Sequence, residues 1–208
     1  MAAVKPTSRL WLARHGRPLI SSGVCYGALD VAADAEHTRQ AAEALHAALP
    51  NNIALAAHSP LLRCSQLAQA LSELRQPRWP VPRADRRLRE MDFGRWEGHP
   101  WDAIARTEID AWTDDFGTFA PGGGESLQAM LVRVGDALAE ARQHAAEEGH
   151  GDILWITHAG VIRCVQWLLM EQPGAGNNRR APLAHEWTMP APEFGMWSCV
   201  PLDPPGPP

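Results

Sequence analysis

Residues 152–157, Asp-Ile-Leu-Trp-Ile-Thr, form a short apolar run that stops at His158 and passes at once into a helical pattern ending near Met170. A run this brief and this apolar suits a strand covered on both faces, and a helix following directly is the signature of a parallel sheet with crossover helices. The pattern comes twice more. Arg9 to Ala13 (RLWLA) opens into the polar, Gly- and Pro-containing stretch from Arg14 to Gly27, and Asn52 to Ala57 (NIALAA) gives way to Ser59-Pro60. Strands that alternate with helices imply a mostly parallel sheet with helices on both faces, and in such folds ligands bind beyond the carboxyl ends of the strands.

The remaining elements follow from local signals. Asp34 to Leu49, rich in Ala, Glu and Gln and closed by Pro50, predicts a helix. Ser59 as N-cap and Pro60 at the first helical position predict a second helix to about Leu74. Pro80 and Pro82 limit Trp79 to Ala84 to an edge strand. A short helix is expected from Pro100 to about Arg106, and a long one from Glu125 to Glu148 with Leu127, Met130, Leu131, Val134 and Leu138 on one stripe. Leu183 to Thr188 and Phe194 to Val200 read as closing strands. The expected architecture is α/β, a three-layer α/β/α sandwich with a mostly parallel central sheet and a small irregular or helical cap. Residues 1–200 are expected to form one domain whose cap spans about 88–124, after a frayed start at 1–8. Residues 201–208 read as a flexible Pro-rich tail.

Charge and composition narrow the partners. The 208 residues carry 19 Lys and Arg against 24 Asp and Glu, a net charge of −5, and no basic cluster. Nucleic acid is therefore not expected as a partner, because phosphate backbones are held by massed positive charge. No apolar run approaches the roughly 18 residues of a membrane helix. Leu10 to Ala13 is too short for an export core, so a cytoplasmic location is expected. Cys25, Cys64, Cys164 and Cys199 make no C-x-x-C pair and read as reduced, mostly buried thiols. His37, His46, His58, His99, His144, His150 and His185 show no zinc-type spacing, so neither a metal nor another cofactor is expected.

Metal-free phosphoryl transfer needs a nucleophile, cationic donors for the phosphoryl oxygens and an acid for the leaving oxygen. Arg14, His15, Arg63, Glu90 and His158 offer these groups, each in a loop or at an element end. Glu97, Asp92 and Asp85 are nearby carboxylates. Glu97 is the alternative acid if Glu90 is not; otherwise it is simply solvated. Gly122-Gly123-Gly124 lacks the flanking residues of a nucleotide-binding loop and reads as a turn before the long helix or a rim of the pocket. Trp96, Trp101 and Trp112 are either cap packing or an aromatic wall for a flat substrate group.

LARHGRP at 12–18, SPLLRC at 59–64, LREMDFGRWEG at 88–98 and THAGVIR at 157–163 together resemble the histidine phosphatase (phosphoglycerate mutase-like) superfamily, in that family's order and spacing. The resemblance implies a small phosphomonoester as substrate. It also implies that His15 attacks phosphorus, that Arg14, Arg63 and His158 hold the phosphoryl oxygens, and that Glu90 protonates the leaving oxygen. Two neighbouring guanidiniums would keep the His15 imidazole neutral.

The mutases of the family carry paired arginines in the middle segment. Thr107 to Pro121 has none and four acidic residues, Glu108, Asp110, Asp114 and Asp115. VCYGALDV at 24–31, DFGRWEGHPWDAI at 92–104 and PGGGES at 121–126 are similar to alpha-ribazole phosphatases of cobalamin biosynthesis, which implies hydrolysis of alpha-ribazole 5′-phosphate. Arg17 and Pro18 depart from the acidic or amide residue and threonine usual after R-H-G. Arg17, Ser22 and Trp96 are candidate substrate contacts. The competing readings are a phosphoglycerate mutase-like phosphotransferase, a broad-specificity sugar or nucleotide phosphatase, and a phosphate-binding module without turnover.

Overall fold

The structure, a computed structural model, describes residues 8–75, 79–147, 151–170 and 180–202. Most of the expected frayed start and of the Pro-rich tail lies outside those residues, as do Glu148, the expected helix end, and His150. The described part of the tail is ordered into the sheet: Pro201 ends the last strand, and the amide of the buried Leu202 donates to the carbonyl of Ser8 at 2.9 Å.

Five strands form one sheet in the order β3-β2-β4-β1-β5. They are β1 (Arg9–Arg14), β2 (Ile53–His58), β3 (Arg83–Ala84), β4 (Asp152–Thr157) and β5 (Trp197–Pro201). β1, β2, β3 and β4 run parallel, and β5 closes the far edge antiparallel to β1. β3 has two residues, as its flanking prolines require.

The period-two alternation of strand side chains divides the core in two. Leu10, Leu12, Ile153 and Trp155 face one side, where they meet α4 (Leu127–Glu147) and α5 (Ala159–Leu169). Trp11, Ala13, Leu154 and Ile156 face the other and meet α1 (Ala35–Ala48) and α2 (Leu62–Leu74). The stripe expected on the long helix is buried in full, from Leu127 through Leu138. Covering on both faces explains why the central strands read as unbroken apolar runs. The result is the three-layer α/β/α sandwich. Among the described residues no helix is long and apolar enough to cross a membrane.

Local expectations hold where local chemistry decides and shift where a distant partner intervenes. Asp34 caps α1 by accepting from the amide of His37 at 2.7 Å. Ser59 does not cap α2. That helix begins at Leu62 after a cap at Leu61, and the Ser59 hydroxyl lies 2.8 Å from Nε2 of His158. The expected helix at 100–106 resolves into a 3-10 turn, Trp101–Ala103, followed by α3 (Arg106–Asp114). Leu183 to Thr188 is not a strand. It contains a 3-10 turn, Ala184–Glu186, held by the Glu186 carboxylate, which accepts from the Leu183 amide and pairs with Arg180.

The segment from Leu88 to Gly124 lies at the carboxyl ends of the strands. The carbonyl of the buried Leu88 accepts from Thr157 Oγ1 at 2.8 Å, which fixes the segment to the end of β4. Gly122 has φ +62°, and a Cβ there would lie 2.0 Å from the carbonyl oxygen of Phe93. The glycine run is thus a turn packed backbone to backbone against 93–94. Phe93, Trp96, Trp101, Trp112 and Phe116 pack ring on ring, with neighbouring centroids 5.5–6.3 Å apart.

Candidate active site

The sheet register builds the site. β1 and β4 pair Arg14 with Thr157, and β2 and β4 pair His58 with Ile156. The next residues, His15, Ser59 and His158, therefore emerge side by side at the carboxyl ends of three adjacent strands. The backbone amide of His15 donates to the carbonyl of Thr157 at 3.1 Å, and that of Ser59 to Ile156 at 2.9 Å. The His15 and His158 rings lie with centroids 5.0 Å apart.

His15 is 2% exposed. Its Nδ1 lies 2.7 Å from the carbonyl oxygen of Gly16, which can only accept, so Nδ1 carries the proton and donates. Burial first, and then the Arg63 and Arg14 charges, push the His15 pKa down to about 3. The imidazole is neutral, and Nε2 holds a free electron pair. The two guanidiniums contribute as expected, but burial is the larger cause. His158 is fully buried, and burial with Arg63 and His15 nearby lowers its pKa well below the usual histidine range. The Cys64 thiol lies 3.5 Å from His158 Nε2 and keeps its proton, since burial raises its pKa.

The arginines come from two elements. Arg14, the last residue of β1, donates from Nη1 to the Pro192 carbonyl at 2.9 Å and lies 3.8 Å over the Phe194 ring. Arg63, in the first turn of α2, has no exposed surface. It donates from Nη1 to Leu29 O at 2.9 Å and from Nη2 to Gly27 O at 2.6 Å. Its fork is therefore partly engaged by backbone. Nε of Arg14 and Nε of Arg63 are both buried, and neither has a hydrogen-bond partner. An unsatisfied buried donor of this kind costs about 1–3 kcal/mol, which an anion seated against it would relieve.

Glu90 occupies the loop beyond Leu88. Its Oε2 accepts from the Gly160 amide at 3.1 Å, and its Oε1 from the Met91 amide at 3.1 Å. The positive end of α5 thus faces the Glu90 carboxylate. Glycine is needed at 160 for this approach, since a Cβ there would lie 2.2 Å from Glu90 Oε1. Arg133 of α4 clasps the same loop, donating to the carbonyls of Arg87 at 2.6 Å and Arg89 at 2.8 Å and pairing with Glu125. The other candidate carboxylates are committed elsewhere. Asp85 pairs with Arg87, Asp92 accepts from the Gly94 amide, and Glu97 accepts from three backbone amides.

The residues expected as substrate contacts, Arg17, Ser22 and Trp96, differ in their surroundings. Arg17 and Ser22 are exposed. Trp96 is buried, and its Nε1 donates to Glu108 at 2.6 Å, so its polar atom is engaged inside the cap. Trp101 is the exposed ring of the aromatic group, and Phe93, Trp112 and Phe116 are half-buried. Tyr26, the only tyrosine of the chain, is a site residue that sequence reasoning missed. Its ring lies 5.5 Å from the Arg63 guanidinium carbon, and its phenol interacts with Arg14 and Glu90. Burial raises the phenol pKa, so it remains a donor. The VCYGALDV segment was the available signal, but nothing in its spacing singles out the tyrosine.

The arrangement is a buried recess of cationic donors around one unprotonated ring nitrogen, with a carboxyl group alongside. Such an arrangement is able to bind an anion and to attack it with the ring nitrogen. Among the described residues, no group of three or more His, Cys, Asp or Glu side chains is gathered as a metal site would need.

Known proteins share this arrangement of elements. A glucosyl-3-phosphoglycerate phosphatase of Mycobacterium tuberculosis is 30% identical in a match that covers 51% of this chain and 55% of that protein, so the match spans about half the length of this curated relative. The structure of a mycobacterial glucosyl-3-phosphoglycerate phosphatase in complex with inorganic phosphate superposes with a TM-score of 0.70 at 27% identity, covering 92% of this chain and 88% of the other. An Escherichia coli structure provisionally described as an alpha-ribazole-5′-P phosphatase superposes with a TM-score of 0.72 at 27% identity, covering 93% and 89%. The sequence model of the histidine phosphatase superfamily (branch 1) matches residues 10–197, and the chain belongs to that superfamily.

Proposed function

We propose that the protein is a phosphomonoesterase that works through a phosphohistidine at His15. The observation that carries this reading is the Nδ1 contact of His15 with Gly16 O, which leaves Nε2 unprotonated beside the unpartnered Nε donors of Arg14 and Arg63. The Nε2 electron pair forms a bond to phosphorus. The ester P–O bond breaks, and its electron pair leaves on the alcohol oxygen, which takes a proton from Glu90. Water then attacks phosphorus and gives its proton to the Glu90 carboxylate. The P–N bond breaks, its electron pair returns to Nε2, and inorganic phosphate is released. Arg14, Arg63 and His158 hold the phosphoryl oxygens throughout, where charge-assisted bonds contribute roughly 1.5–3 kcal/mol each.

The substrate that suits the site is a small phosphomonoester carrying a flat group, with alpha-ribazole 5′-phosphate the leading candidate. The aromatic rings from Phe93 to Phe116 support it, because Phe93 lies against the 27–29 loop that holds Arg63, and Trp101 is exposed. The curated relative's name favours a second candidate, glucosyl-3-phosphoglycerate. Steady-state kcat/KM over alpha-ribazole 5′-phosphate, glucosyl-3-phosphoglycerate, sugar and nucleotide monophosphates and 3-phosphoglycerate tests the reading. Phosphate release is expected, with alpha-ribazole 5′-phosphate preferred. Conversion of 3-phosphoglycerate to its 2-phospho isomer without phosphate release would instead make the protein a mutase.

A further inference from the structure

Glu97 sits outside the cluster, yet its carboxylate is fully engaged on the way to it. Oε1 accepts from the amides of Ala28 at 2.7 Å and Phe93 at 2.9 Å, and Oε2 accepts from the amide of Leu29. The same loop turns its carbonyls toward Arg63: Gly27 O accepts from Nη2 at 2.6 Å and Leu29 O from Nη1 at 2.9 Å. One residue further, Asp30 Oδ1 accepts from the Leu62 amide at 2.6 Å, fixing the loop to the helix that carries Arg63. Space is tight on the opposite side, since a Cβ on Gly27 would lie 1.9 Å from Met91 O.

The amides of 28 and 29 are held by a cap carboxylate, while the carbonyls of 27 and 29 hold a buried guanidinium. A guanidinium is planar, so two carbonyls at fixed positions set both its location and its plane. Charge-assisted bonds from a carboxylate to backbone amides are strong enough to set the loop in turn.

We infer that Glu97 is a positioning residue for Arg63, transmitting through the 27–29 backbone the orientation in which Arg63 meets the phosphoryl group. The inference rests on the proposed role of Arg63 and extends it to a residue that touches neither substrate nor reacting atoms.

A double-mutant cycle tests it. Glu97→Ala, Glu97→Gln, Arg63→Lys and the combined variants are compared by the Kd for inorganic phosphate, by kcat and KM on p-nitrophenyl phosphate and on an alkyl phosphate, and by Tm. Misplacement of a positioning group by about 1 Å is expected to cost up to about 100-fold. Both Glu97 variants should therefore weaken phosphate binding and lower kcat/KM roughly 10- to 100-fold, equally on the two esters. In the Arg63→Lys background the Glu97 change should add little, since the two act as one unit.

Unchanged phosphate affinity in the Glu97 variants, or losses that multiply fully in the combined variant, would overturn the inference. A loss confined to the alkyl ester would overturn it too, by making Glu97 the acid. Should Glu97→Ala not fold, Glu97→Gln, which keeps the volume, carries the same cycle. An Arg63→Lys protein that binds phosphate as the parent does would instead overturn the proposed role of Arg63 itself.

Discussion

At His15 the decisive fact is a single hydrogen bond. A carbonyl oxygen cannot donate, so the 2.7 Å contact with Gly16 O assigns the proton to Nδ1 and the electron pair to Nε2. Burial then keeps the ring neutral. Glu90 is the complementary group, and its proposed role separates substrates by their leaving groups. A general acid contributes about 10²- to 10⁴-fold, and mainly where the leaving oxygen is basic. Glu90→Gln is therefore expected to slow an alkyl phosphate by about that factor and p-nitrophenyl phosphate far less, measured as kcat/KM on the two esters side by side. Equal losses would show that Glu90 is not the acid.

At the scale of elements, three strand ends and one helix start assemble the site. Strand register sets His15 beside His158, and the Gly160 amide at the start of α5 holds Glu90. This last contact depends on a missing side chain. Gly160→Ala would push Glu90 away, since the added Cβ would lie 2.2 Å from its Oε1. The expected result is an alkyl phosphate loss like that of Glu90→Gln, with p-nitrophenyl phosphate turnover much less affected and α5 intact by circular dichroism. A Gly160→Ala enzyme with unchanged alkyl phosphate kinetics would show that Glu90 reaches the leaving oxygen without this contact.

The elements also show what could be read from the chain alone. The three central strands and α1, α4 and α5 were legible because their signals are local: apolar runs, a capping aspartate, a stripe. Ser59 misleads because its hydroxyl, which accepts from the Leu61 amide at 3.3 Å, also meets His158, 99 residues away in sequence, and the helix starts only at Leu62. Leu183 to Thr188 reads as a strand, but the Glu186 carboxylate accepts from the Leu183 amide and closes the segment into a turn. His15, Arg14, Arg63, Glu90 and His158 stood out through their motifs. Tyr26 and the amide-binding use of Glu97 did not, because each depends on contacts between the 24–31 loop and distant segments, which no spacing announces.

For the molecule as a whole, holding two neutral histidines in the interior couples stability to pH. His15 in the folded protein takes a proton only near pH 3, and burial likewise depresses His158. In the unfolded chain both protonate near the ordinary histidine value of about 6.5. Below that pH the unfolded state binds more protons than the folded one, so stability is full above about pH 6.5 and falls as the pH drops toward the folded values. The decline is about 1.4 kcal/mol per pH unit for each histidine. Urea unfolding at pH 7.5, 6 and 5 should show the folding free energy falling over the lower interval. A free energy that stays flat from pH 7.5 to 5 would mean that these rings protonate in the folded protein as readily as in the unfolded chain.

The proposed reaction stands or falls on one species, a phosphoryl group on Nε2 of His15. Rapid quenching of the enzyme during turnover of a labelled phosphomonoester, followed by digestion at high pH and mass mapping, looks for it directly. The expected result is phosphate that is stable to alkali and labile to acid, carried by the peptide containing His15 and missing in His15→Ala, which should also lack turnover. Covalent phosphate on another residue, or full turnover by His15→Ala, would contradict the account.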